Sequence, residues 1–263
     1  MKAHRIFGII LRYLYLFRHS FDRLSDAFYW PTIDLLLWGI TSVYFRTQFA
    51  GGPSITVMII SGILFWIIVW RGQYEIRVNL LEDLWNKNLI NIFVAPVSFY
   101  EWISSFLILG ILKAALSFTY GALIALILYK VQIFSYGFSL LPIMLLLIMT
   151  GWWSGFIGAG IILRYGTKIQ TVAWSLVTIL SPFSAIYYPL TILPLWAQKV
   201  ALFVPTSYVF EAGRKVINYG YFDTQMFLIA FFLNIFYIIL SIMFLRRSFD
   251  KALQRGLVKV GGY

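Results

Sequence analysis

The sequence predicts an all-α polytopic membrane protein on three observations. Hydrophobic residues make up 61% of the chain and charged residues 12%, against roughly half and about a quarter in soluble domains. The mean hydropathy is +0.83. The apolar residues are gathered into runs, and a bilayer-spanning helix takes about 20 of them. A chain of 263 residues fits six such spans with short connections and leaves no room for a large soluble domain. The excess of 21 Lys and Arg over 10 Asp and Glu does not argue for a nucleic-acid partner. The basic residues sit beside apolar runs, where membrane orientation and anionic lipid account for them. The absence of cysteine excludes disulfides and thiol chemistry.

Residues 1–26 form the first unit. On a helical wheel Ile6, Ile10, Tyr13, Leu14, Phe17, Phe21 and Leu24 share one face, and Arg5, Arg12 and Arg23 lie nearly opposite. That pattern predicts an amphipathic helix over 3–26 lying in the membrane interface, in preference to a merely basic leader. Six spans follow within 27–245, at about 27–45, 54–70, 102–129, 138–163, 171–188 and 224–245, and residues 246–263 form a basic tail. Between the second and third spans lies the polar segment 75–101. In it Leu80, Leu81, Leu84, Leu89 and Ile92 recur with Trp85 at helical spacing until Pro96 stops the pattern, which predicts an amphipathic helix over about 79–92. Residues 189–223 carry two short apolar runs, 195–203 and 207–217, separated by Pro205. Each is half a bilayer long as a helix. They predict a re-entrant hairpin of two short helices, which membrane depth permits only when it is packed on protein or lines a wet cavity.

Six spans put both termini and the second and fourth loops on one side, and that side holds most of the 21 Lys and Arg residues. The opposite side has Arg46, Lys130, Lys199, Arg214 and Lys215. The excess of positive charge assigns the termini to the cytoplasm and the hairpin to the outside.

No catalytic constellation is present. The two histidines, His4 and His19, fall on the polar side of the first helix, away from any carboxylate cluster, and predict no metal site. The nearest approach to a phosphate-binding loop, Gly160 to Lys168, has the wrong spacing, so the chain is not expected to hydrolyse ATP itself. Asp34 and Lys113 fall inside predicted spans, where a charge is costly. Either they line a path or pair with each other, or Asp34 is interfacial and Lys113 reaches for the headgroups. Glu211 and Arg214 are three apart and are placed to pair on one helix face, holding the hairpin. Gly151, Gly155 and Ala159 repeat at every fourth position and allow close helix packing, within the chain or between chains. The aromatic residues, 19% of the chain, gather at span ends as an interfacial belt, or line a path where they stack on sugars or lipid-linked groups.

Two segments resemble a known family. Leu89-Ile90-Asn91-Ile92-Phe93-Val94-Ala95-Pro96-Val97-Ser98 is similar to a segment of the type-2 ATP-binding-cassette (ABC) exporter permeases. Ser181-Pro182, Tyr188-Pro189, Leu193-Pro194-Leu195-Trp196 and Val204-Pro205-Thr206-Ser207-Tyr208 through Glu211 and Arg214 resemble the family's fifth and sixth span region, and Phe28-Tyr29-Trp30-Pro31 also fits. The resemblance covers nearly the whole chain. It implies a non-enzymatic transport subunit of a prokaryotic inner membrane, forming an export path as a homodimer or heterodimer. Two separate ATPase subunits, carrying ATP and magnesium, then dock on its cytoplasmic face. The helix at 79–92 corresponds to the family's coupling helix, with Glu82, Asp83, Trp85, Asn88, Asn91 and Pro96 as the expected docking residues and a stiff connection onward into the third span. The charged cluster that precedes this helix in the family is reduced here to Glu75 and Arg77. Substrate-path or gate residues would be Asp34, Lys113, Glu211 and Arg214. The competing classes are a gradient-driven transporter or channel, which calls for repeated halves or several buried carboxylates, and an intramembrane lipid-modifying enzyme, which calls for convergent His, Asp or Ser groups. The sequence displays neither.

Overall fold

The apolar runs fold as helices, and no strand occurs among the described residues of the computed structural model, which are 2–48, 53–88, 91–92 and 95–254. The helices are α1 (Ala3–His19), α2 (Phe21–Gln48), α3 (Pro53–Trp85), α4 (Phe99–Tyr129), α5 (Leu140–Tyr165), α6 (Gln170–Leu180), α7 (Leu195–Ala201), α8 (Pro205–Tyr219) and α9 (Thr224–Gln254). Among the described residues, four stretches are long and apolar enough to cross a membrane: Ile55–Trp85, Phe99–Tyr129, Ile133–Tyr165 and Thr224–Gln254. This is compatible with an integral membrane protein. Of the other two expected spans, α2 is long but more polar, and α6 has only 11 residues, about 16 Å at 1.5 Å per residue.

The helix α3 is the axis of the fold, packed against α5, α4 and α2. Small residues on α5 set that contact. A Cβ on Gly151 would lie 2.7 Å from the Val69 carbonyl oxygen, and one on Gly155 would lie 3.1 Å from Gln73 Cα. Ala159 is buried on the same stripe. Of the two uses the sequence allowed for this stripe, the structure takes packing within the chain. In the same way Gly158 makes room for Arg77, whose Cδ lies 2.5 Å from where a Cβ would be.

Four sequence expectations are corrected. The first helix does not run to residue 26. Ser20 is extended and ends α1, and its hydroxyl accepts from the Arg23 amide at 3.4 Å to open α2; Phe21 is therefore 83% exposed instead of sharing the α1 apolar face. The second span does not stop at residue 70. With 33 residues, α3 is about 50 Å long, well beyond a hydrocarbon core of about 30 Å, so residues 79–85 belong to it and not to a separate loop helix. The helix is not continuous with α4, because α3 ends at Trp85, Ala95 and Pro96 form a turn, and Ser98 starts α4 afresh with a capping box to Glu101. The fifth span breaks early, because Pro182 has no amide to continue the α6 ladder. The chain then passes through a 3-10 turn at Ser181–Phe183 and a left-handed Ala185 (φ 58°). Leu89, Ile90, Phe93, Val94 and the end of the basic tail lie outside the described residues.

Proline is also accommodated inside α2. Pro31 leaves the carbonyl of Ala27, four residues back, without its helical donor. The Ser117 hydroxyl of α4 donates to it at 3.1 Å in the buried interface. Asn234 ties α9 to α5 in similar fashion: its Oδ1 accepts from Thr150 at 2.9 Å and from Trp153 Nε1 at 3.0 Å, and its Nδ2 donates to Leu146 O at 3.1 Å.

Candidate functional site

The last four turns of α3 carry Arg71, Gln73, Glu75, Arg77, Asn79 and Asp83, all buried. Buried charge is tolerated only when paired and hydrogen-bonded, and the partners come from helices distant in sequence. Asp83 accepts from Arg12 Nη2 at 2.8 Å, from the Tyr13 hydroxyl, and from Asn88 Nδ2 at 3.1 Å. Burial, followed by the charge and hydrogen bond of Asp83, pushes the Tyr13 hydroxyl well above the usual phenol range. Glu82 pairs with Arg23 of α2. Arg23 also donates to Asn79 Oδ1 at 3.2 Å, Asn79 Nδ2 reaches Glu75 Oε2 at 3.4 Å, and Lys113 Nζ of α4 meets the same carboxylate oxygen at 2.6 Å. The Phe17 ring of α1 lies 4.5 Å from that ammonium. Arg77 donates to the Ala173 carbonyl of α6 and lies 4.7 Å from the Trp174 ring. Glu101 accepts from the Lys2 backbone amide at 2.6 Å and from Ser98 N at 2.9 Å.

The result is a clamp. The apolar face of α1 packs against α3 and α4 around Ile10 and Tyr13; Glu101 fastens its start through Lys2 and Arg5, and Asp83 fastens its middle through Arg12 and Tyr13. At the tip of the clamp the chain turns at Lys87 in the left-handed region (φ 52°). Trp85 is 59% exposed, and Asn91, Ala95 and Pro96 are exposed beside it.

The expected docking residues thus divide. Trp85, Asn91 and Pro96 present themselves at the surface. Asp83 is wholly buried in the clamp, and Glu82 is committed to Arg23. Asn88 bridges the two sets, donating to Asp83 and accepting from Asn91 Nδ2 at 3.3 Å. The Asp34–Lys113 pair does not form, and Lys113 does not extend to the headgroups: it is buried against Glu75. Asp34 instead lines a cavity of about 410 Å³ between α2 and α3.

Glu211 and Arg214 do pair, at 3.0 Å. Each also reaches outside α8: Glu211 accepts from Leu190 N at 2.7 Å, and Arg214 Nη1 donates to Ala185 O at 2.7 Å. They hold the α7–α8 hairpin to the segment after α6. Sequence reading missed Arg12, Tyr13, Arg23 and Asn79 as site residues. Arg12, Tyr13 and Arg23 lie within the amphipathic pattern of residues 3–26, which the sequence reading placed in the membrane interface, and Asn79 lies in the polar segment 75–101.

Fold and site together define a chain that is helical throughout its described elements, with four helices long and apolar enough to cross a membrane and a polar clamp at the end of its central helix. No protein-family model and no curated protein matches it.

Proposed function

We propose that the chain is the membrane permease subunit of an ATP-driven ABC exporter of type 2, working as a dimer in a prokaryotic inner membrane with both termini in the cytoplasm. The observation that carries this reading is the projecting, internally fastened end of α3, tipped by the exposed Trp85 turn. A motor that moves spans from outside the membrane needs a stiff lever joined to several of them. Ion pairs and hydrogen bonds link this end of α3 to α1, α2, α4 and α6 at once. Separate ATPase subunits, which bring ATP and magnesium, grip the crest formed by Trp85, Asn91 and Pro96. Asp83, Glu82 and Asn88 serve the same coupling from behind, by holding the lever rigid. On the other side of the membrane Glu211 and Arg214 brace the hairpin at the exit.

The test is whether a soluble ATPase with a phosphate-binding loop, sought first in the neighbouring reading frame, co-purifies with this chain. Trp85→Ala and Asn91→Ala are expected to lose the ATPase while the permease stays folded and monodisperse. Unchanged ATPase binding and transport in both variants would overturn the docking assignment.

A further inference from the structure

The cavity beside α2 has a chemistry that ATPase docking does not use. Its walls are aromatic, with Trp30 from α2, Trp66, Trp70 and Tyr74 from α3, and Tyr187 from the segment after α6. The rings are held from behind: Trp38 stacks on Tyr187 with centroids 4.6 Å apart, and Trp174 lies 5.4 Å from Tyr74.

Charge is unevenly distributed on this lining. Arg71 Nη1 meets Asp26 Oδ2 at 2.7 Å, so those two groups neutralise each other. Asp34, two turns further along α2, lines the same cavity and has neither an ion pair nor a side-chain hydrogen bond among the described residues. Asp34 is exposed, so its unpaired carboxylate is accessible to a counter-charge, and ring faces attract cations. An anion would meet repulsion here.

We propose that this cavity binds a monovalent organic cation with an apolar body, its charge set between the Asp34 carboxylate and the faces of Trp30, Trp66 and Tyr187. The inference names the class of cargo, and only its transport step rests on the permease reading above.

The test is equilibrium binding of tetraphenylphosphonium to the full chain in lipid nanodiscs, with binding to empty nanodiscs subtracted. Tetraphenylborate, an anion of the same shape, is the control. The expected result is saturable binding of the cation alone, weakened at least tenfold by Asp34→Asn and largely retained in Asp34→Glu. Trp30→Leu, at a position 55% exposed where truncation leaves the helix intact, is expected to weaken binding several-fold and carries the test should Asp34→Asn fail to fold. Equal binding of cation and anion, absence of saturable cation binding, or cation binding untouched by Asp34→Asn and Trp30→Leu would each overturn the proposal. No ATPase is present in this assay. Trp85→Ala is expected to bind the cation normally, so failure of the coupling reading leaves the cavity result standing, and the reverse also holds.

Discussion

The two polar regions of this molecule use the same ion-pair chemistry and differ in reach. At the clamp, Arg12 meets Asp83, Arg71 meets Asp26 and Lys113 meets Glu75, partners separated by 71, 45 and 38 residues. At the hairpin, Arg214 meets Glu211 three residues away and Lys215 meets Asp223 eight away. Long-range pairs lock whole helices together, and in the fully buried Lys113–Glu75 pair the loss of one partner strands the other in a dry interface. The ion pairs at the hairpin join near neighbours along the chain, and its reach beyond α8 comes from the bonds of Glu211 and Arg214 to the Leu190 amide and the Ala185 carbonyl. The clamp therefore ties several helices together, whereas the hairpin is fastened chiefly to the segment that precedes it.

The comparison is most directly broken at Lys113. Lys113→Met leaves the buried Glu75 carboxylate uncompensated and should cost about 3–5 kcal/mol, the range for breaking a buried pair, read as a drop in melting temperature of the purified protein. Lys113→Met with Glu75→Leu should recover most of it, since an apolar replacement of a whole buried pair is often neutral; losses that simply add would show the two groups do not act as a pair. Asp83→Ala leaves the buried Tyr13 hydroxyl without its acceptor and Arg12, 38% exposed, without its partner, and is expected to cost about 1–3 kcal/mol, read in the same way. Gly155→Leu, which forces α5 away from α3, is expected to cost about 1–3 kcal/mol and to lower stability without altering ATPase recognition. Arg214→Ala removes the donor to Ala185 O and is expected to cost about 1–3 kcal/mol, with faster amide exchange confined to residues around 185–215.

The smallest effect lies at Lys215 and Asp223. Hydrogen bonding to Lys215 holds the Asp223 carboxyl below the usual range, and hydrogen bonding to Asp223 raises Lys215. A lowered carboxyl value stabilises fully above the unfolded value of about 4 and loses that contribution as pH falls through the lower folded value. A raised lysine value stabilises fully below about 10.4 and loses its contribution as pH rises through the higher folded value. The start of α9 should therefore loosen below about pH 4 and in strong alkali. Asp223→Asn should flatten the acid limb of amide exchange at residues 223–226, and a wild-type acid limb in that variant would rule the pair out as its cause.

How much of this was legible varied with the range of the interaction. Glu211 and Arg214 were readable as a pair because helical spacing alone brings them together. The Gly151, Gly155 and Ala159 stripe was readable as a contact surface, although not as one for α3. The clamp was not readable. Arg71, Glu75 and Arg77 look like the end of a span to any hydropathy argument, which treats a charge as exposed. The helix runs on through them because Asp26, Lys113 and the Ala173 carbonyl meet those charges from other helices. Asp34 and Lys113 were singled out as charges inside predicted spans, but the pairing of Lys113 with Glu75 and the exposure of Asp34 depend on rotations of α2, α3 and α4 that no local pattern encodes.

The sequence by itself determined what depends on composition and short periods. These are an all-helical chain, apolar stretches of membrane-crossing length and an amphipathic first helix. The tertiary structure alone decided which charges are buried, which docking candidates reach the surface, and that the unpaired carboxylate faces a ring-lined cavity. The physical reason is that a charge inside a protein is stable only through its partners, and those partners are brought by folding from helices far away along the chain.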